Sequence, residues 1–138
     1  MGILTRNIKV LPGNDSGWGY RLMGVGYNDG NKLRTGNLIL SGVEFIDGGQ
    51  YNTHRTALQL LNMIGSAQNI ITGSSFFNCK TICIDIENAR NLKITNNVFY
   101  KGKGSHVRAL SITNYEFNSN LMIDAKSGRG LVACYVSY

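Results

Sequence analysis

The sequence predicts an all-β chain, a single-stranded right-handed parallel β-helix. Three observations carry this. Gly is abundant at 17 residues while Pro occurs once, which suits many short strands joined by sharp corners where a positive φ is needed. Short alternating apolar segments recur along the chain. The same residue types return at the same offset in successive segments, which is the mark of a solenoid.

Two families of segments align without gaps. The first is ALQLLN at 57–62, CIDIEN at 83–88 and ALSITN at 109–114, in steps of 26 residues. The second is NLILSGVEF at 37–45, NIITGSSFF at 69–77 and NLKITNNVF at 91–99, in steps of 32 and 22 residues. Extra residues around 51–55 and 63–68 account for the longer step.

Period-two alternation predicts that Leu58, Ile84 and Leu110 form one inward column, and that Leu60, Ile86 and Ile112 form another. Leu38, Ile70 and Leu92 form a third. Phe45, Phe77 and Phe99 form an aromatic stack. Each inward aliphatic contributes roughly 1.5–3 kcal/mol if fully buried. Asn62, Asn88 and Asn114 end their strands and predict a corner ladder. Facing outward are Gln59, Asp85 and Ser111, then Leu61, Glu87 and Thr113. Leucine-rich repeats are excluded because their LxxLxLxxN spacing is absent. A β-sandwich would not place one residue type at one offset three times.

The reading treats 1–138 as one repeat domain: leading strands in 1–36, the best-defined coils in 37–114, and a last coil in 115–138. That makes about four to five coils, a piece of a longer helix. Open ends would expose strand edges, so neighbouring segments of the parent protein or neighbouring chains are expected to cover them.

Charged residues make up 16% of the chain and apolar residues 43%, which argues against disorder. The net charge of +6 is spread without a run. It fits a mildly basic surface or an acidic glycan as partner, and no nucleic-acid motif accompanies it. No apolar segment is long enough to cross a membrane. The start is too short and polar for a signal peptide, so a secreted protein would carry its signal and anchor outside this chain. Among the three cysteines, Cys79 and Cys83 are placed to bridge around a corner, leaving Cys134 odd; free buried thiols are the other reading. Asn14-Asp15-Ser16 is a glycosylation acceptor triplet. No cofactor motif or metal-ligand spacing is readable. GlyLysGly at 102–104 lacks the spacing of a phosphate-binding loop.

Several segments resemble a known family. LTRNI at 4–8, GlyTrpGly at 17–19 and SGVEFIDGGQ at 41–50 are similar to fibrocystin and fibrocystin-L, and to related cell-surface hyaluronidase and hyaluronan-binding proteins. RTALQLLN at 55–62 and NLKITNNVFYKGKGSHV at 91–107 continue the resemblance over nearly the whole chain. It implies a module of a large extracellular or cell-surface protein, in some cases ciliary, with Trp18 in the family's core pattern. The hyaluronan-active relatives carry a His-rich strand where this chain reads RTALQLLN, so the resemblance implies a scaffold or adhesive module more than a hydrolase.

The candidate chemistry lies on the outward face. Asp85 and Glu87 share one face of a strand, about 6–7 Å apart, a separation used in sugar hydrolysis. They are the candidate catalytic pair. Gln59 and Ser111 flank them as ligand-binding candidates, with Thr113 beyond. His54, Lys80 and His106 are expected to form a basic column at the edge of that face, and Arg55 joins them from the inserted loop with Tyr51. Lys93, Lys101, Lys103 and Arg108 make a candidate basic strip for an anionic glycan. Trp18 and Tyr20 are candidate sugar-stacking rings. The function expected is a non-enzymatic scaffold or ligand-binding surface. The alternative is a module that binds or cleaves an anionic polysaccharide such as hyaluronan.

Overall fold

The computed structural model describes residues 8–13, 18–126 and 129–137, with side chains described up to Ala133. In chain order its strands are β1 (Ile8–Val10), β2 (Leu22–Val25), β3 (Tyr27–Asn28), β4 (Leu33–Arg34), β5 (Ile39–Ser41), β6 (Val43–Ile46) and β7 (Leu58–Leu61). They continue as β8 (Asn69–Thr72), β9 (Ser75–Phe77), β10 (Ile84–Thr95), β11 (Val98–Gly102), β12 (Val107–Asn118), β13 (Leu121–Ala125) and β14 (Leu131–Ser137). The described residues contain no helix.

Pairing is parallel almost throughout. One sheet runs β1-β6-β9-β11-β13, and a second runs β14-β12-β10-β7-β2 with β5 and β8 joined to it through β10. The exception among the named strands is the small antiparallel pair β3–β4. Parallel strands cannot be joined by tight hairpins, so each strand pairs with its equivalent one level later. The long strand β10 shows this directly. Its first half pairs with β7 and its second half with β8, while β12 lies along both halves.

The corners recur in register. Positive φ falls at Asp47, Asn78, Lys101 and Asp124, again at Gly42, Gly73, Asn96 and Ser119, and again at Asn62, Asn88 and Ser111. Gly, Asn and Asp supply most of these left-handed positions because they adopt them with the least steric cost. Lys101 and the two serines do so without that advantage.

The core lies between the sheets. Phe45, Phe76 and Phe99 stack with ring centroids 4.7 and 5.1 Å apart and interplanar angles of 11° and 9°. Facing them are Leu58, Leu60, Ile84, Ile86, Val107 and Ala109, all buried. A polar ladder runs beside this core: Asn97 Oδ1 accepts from Ser74 N at 3.0 Å, and Asn120 Oδ1 accepts from Asn97 N at 3.1 Å.

The register corrects several predicted columns. Phe76, not Phe77, joins Phe45 and Phe99; Phe77 faces the other way and meets Tyr100 at 5.5 Å. The step from 45 to 76 is one residue shorter than the segment alignment gave, because 69–77 holds two adjacent phenylalanines. Asn69 and not the predicted Ile70 therefore stands in the column with Leu38 and Leu92, and Ile71 stacks with Leu40 and Ile94. In the first family the third members are Val107 and Ala109, opposite Ile84 and Ile86. Leu110 instead lies opposite Glu87, and Ile112 opposite Ala89.

The Asn ladder is likewise split. Asn88 Nδ2 donates to Asn62 Oδ1 at 2.8 Å, and the next level holds Ser111; Asn114 bonds Asn91 in a second ladder. The β10 level holds two such Asn corners, Asn88 and Asn91, three residues apart, and the 26-residue alignment moved from one ladder to the other.

Candidate functional site

Asp85 is held by its register. It lies opposite Gln59 on one side and Arg108 on the other, so the residue beyond it is Arg108 and not the predicted Ser111. Arg108 Nε donates to Asp85 Oδ1 at 2.7 Å and Nη2 to Oδ2 at 2.8 Å. Gln59 Nε2 donates to Oδ2 at 3.2 Å, and Arg21 donates to Gln59 Oε1. Donating to Asp85 raises the Arg108 guanidinium above its usual range. Asp85 itself is 1% exposed. Glu87, two residues along, is exposed, as are Ser111 and the loop residues His54 and Arg55. The two carboxylates thus share a strand but not an environment: one is enclosed by three donors and the other is open to water. Thr113 pairs with Arg90, one corner beyond that face.

His106 does not join a basic edge. It is buried under Phe99, with Nε2 3.1 Å from the carbonyl of Ile123 and Nδ1 3.8 Å from Cys83 Sγ. Burial pushes its pKa down, so the neutral ring donates from Nε2. It lies opposite Cys83 on the next level, whereas the residue opposite Lys80 is Lys103; this register takes His106 out of the predicted column with His54 and Lys80.

A different basic corner is assembled instead. Cys79 and Cys83 are joined by a disulfide with a Cα–Cα distance of 5.3 Å, and the small loop they close carries Lys80. The inserted loop 51–55 is closed on itself by Thr53 Oγ1, which donates to the Gln50 carbonyl at 3.0 Å and accepts from Arg55 N at 3.1 Å. Thr81 Oγ1 donates to the Arg55 carbonyl at 3.1 Å. The third wall is 102–104. A Cβ on Gly102 would stand 2.9 Å from His106 Nδ1, and one on Gly104 would stand 3.2 Å from the Thr81 backbone. These glycines let the chain carrying Lys103 approach closely.

The result is a cleft of about 310 Å³ lined by His54, Lys80 and Lys103, adjoining a smaller one of about 110 Å³ lined by Tyr51, Lys101, Lys103 and Lys126. Neither is lined by a carboxylate. Lys103 Nζ lies 4.1 Å and Lys80 Nζ 5.7 Å from the centre of the Tyr51 ring, whose face attracts cations. Of the predicted basic strip, Lys101 and Lys103 reach this corner. Lys93 is paired with Glu116 at 2.9 Å, and Arg108 with Asp85. Lys126 was missed. A step of 23 residues from Lys80 through Lys103 reaches it, and the 26-residue step hid it.

Trp18 is 56% exposed rather than in the core. Tyr20 is packed against Phe45 at 6.0 Å with its hydroxyl unpartnered among the described residues, and burial raises its pKa. Neither ring lines the corner. Asn14 and the Cys134 side chain lie outside what is described. Among the described residues, no group of three or more His, Cys, Asp or Glu is placed to hold a metal, and no helix is long and apolar enough to cross a membrane. Comparison with known proteins yields no matching family model, no matching curated protein and no matching solved structure.

Proposed function

We propose that this chain is part of a right-handed parallel β-helix in a large fibrocystin-like cell-surface protein, where it serves without catalysis as a rigid scaffold that presents a ligand-binding corner. The observation that carries the scaffold reading is the repeated register: the same corners and the same Phe stack return level after level. The Cys79–Cys83 disulfide fits an oxidising compartment such as the cell exterior. Exposed apolar residues gather on strands with a single neighbour, Ile8, Leu22 and Ile39 on one side and Leu121, Ile123 and Leu131 on the other. Unpaired edges of that kind favour further stacked repeats as the covering partner.

The non-catalytic part rests on Asp85. A general acid must bring a proton to the glycosidic oxygen, and this carboxylate is enclosed by Arg108 and Gln59. The test is a chain-length assay on hyaluronan with the wild type and the double variant Asp85→Asn/Glu87→Gln. The expected result is no shortening by either protein. Shortening by the wild type that the double variant abolishes would overturn the scaffold reading in favour of a hydrolase. A second reading, binding of an acidic glycan without cleavage, is favoured by the lysine-lined clefts beside Tyr51.

A further inference from the structure

Phe77 and Tyr100 belong to a longer column. Parallel register sets Ile46 opposite Phe77, Phe77 opposite Tyr100 and Tyr100 opposite Ile123. On the level before them, Leu11 stands one residue beyond Val10 as Ile46 stands one beyond Phe45. Phe45, Phe76 and Phe99 point inward, so period-two alternation turns the column outward. Consecutive levels thus carry an apolar residue at one outer position. Leu11, Tyr100 and Ile123 are 54%, 37% and 44% exposed, while Ile46 and Phe77 are half-buried. On the outer face of the other sheet Gln59, Asp85 and Arg108 stand in register instead. A contiguous exposed apolar strip marks an interaction surface. Further stacked repeats do not cover this one. β6, β9 and β11 already have a neighbour on each side, and the strip faces away from the stacking direction.

We propose that this strip is the contact surface for a second copy of the chain, joined face to face about a twofold axis that runs along the strands through Phe77. This goes beyond the scaffold reading and does not depend on the lysine-lined clefts. A twofold contact requires a self-complementary patch, and the strip is one. The axis reverses the order of the levels, so Phe77 meets Phe77, Ile46 meets Tyr100 and Leu11 meets Ile123. It keeps the strand direction, so the two sheets pack aligned, about 10 Å apart. The charges agree with this placement. The corner beyond the strip holds Asp47, Asn78, Lys101 and Asp124 in register, each at a positive φ. Lys101 bends back over the strip, with Nζ 5.9 Å from the centre of the Phe77 ring and 5.3 Å from that of Tyr100. Asp47 accepts a hydrogen bond from Asn78 Nδ2. Asp47 and Lys101 lie one level to either side of Asn78, so the axis sets Lys101 of each copy against Asp47 of the other. Two ion pairs then border the apolar strip on one side. On its other side the paired Lys9 and Glu44 supply the polar rim that such contacts carry.

The test is sedimentation velocity of the whole chain over a range of concentrations, with circular dichroism to check the fold of each variant. The expected result is a monomer–dimer equilibrium that stops at the dimer. Lys101→Asp and Asp47→Lys should each weaken dimerisation by about tenfold or more, because each sets like charges together at two symmetric contacts. Lys101→Asp/Asp47→Lys restores opposite charges and should recover the wild-type dimer. Lysine fits the corner at position 47, since Lys101 takes a φ of 56° at the equivalent position and Asp47 one of 58°. Tyr100→Glu, at an exposed ring, should weaken the dimer as well, and it serves if a corner variant does not fold. Association that runs on past the dimer and ignores these changes belongs to the open sheet edges and would overturn the proposal. So would a dimer that survives both single reversals, or a double variant no tighter than either. A monomer at every concentration, including one that binds neutral phospholipid vesicles instead, would overturn it too.

Discussion

Asp85 and Arg108 occupy the same register position on β10 and β12, and their side chains meet in two parallel hydrogen bonds of 2.7 and 2.8 Å. The carboxylate is buried while the guanidinium side chain is 34% exposed. Removing the cation therefore strands a buried charge. Arg108→Ala is expected to lower unfolding stability by about 2 kcal/mol, below the range for fully buried pairs because water reaches the arginine. Urea denaturation measures this, and a loss under about 0.5 kcal/mol would show that the pair is not enclosed as described.

Phe76 and Phe77 are adjacent in sequence and opposite in role. Phe76 sits fully buried in the ring stack between Phe45 and Phe99, whereas Phe77 is half-buried on the other face. Phe76→Ala should cost about 3–5 kcal/mol and Phe77→Ala well under half of that. Comparing the two denaturation midpoints checks the one-residue register. A larger loss at Phe77 would reverse it.

Ser111 takes a positive φ of 52° at the corner where Asn62 and Asn88 stand on the preceding levels. Asn tolerates that conformation better than Ser and can extend the side-chain ladder. Ser111→Asn is expected to stabilise the fold by about 0.5 kcal/mol. A fall in the denaturation midpoint would contradict the alignment of the three corners.

His106 predicts a pH dependence. Burial holds its pKa below the ordinary value of 6.5. As pH falls below 6.5 the unfolded chain takes up a proton that the folded site resists, so the unfolded state binds more protons and stability declines. The contribution is complete above that pH and is lost toward the lowered folded pKa, with a slope of at most about 1.4 kcal/mol per pH unit. Thermal melting of the wild type between mildly alkaline and mildly acidic pH should show the decline. His106→Gln should flatten it. An unchanged pH profile in the variant would place the effect elsewhere.

Period-two alternation and recurring corners were enough to read parallel stacking. The pairs Leu58 with Ile84 and Leu60 with Ile86 follow directly from the first segment family. What the sequence hid was the exact step. Matching by residue type carried Asn88 to Asn114 because both end similar strands, while backbone pairing carries it to Ser111. That three-residue error moved His106 from the interior to a supposed basic edge and separated Lys80 from Lys103 and Lys126. Asp85 and Glu87 were legible as neighbours on one strand, yet the bidentate hold of Arg108 depends on the register and could not be read from either residue. The inserted loop at 51–55 was legible as an insertion, but its closure by Thr53 and its tie to the disulfide loop by Thr81 are hydroxyl bonds to backbone that leave no sequence signature.

Nuclear Overhauser contacts in isotope-labelled protein test the stacked register most directly. The stacked register predicts ring-to-ring contacts between Phe76 and Phe99 and side-chain contacts between Ile86 and Ala109, with Lys80 near Lys103 and Lys103 near Lys126. Contacts of Phe77 with Phe99 and of Ile86 with Ile112, or strong cross-strand Hα–Hα contacts marking antiparallel pairs in place of these, would contradict it.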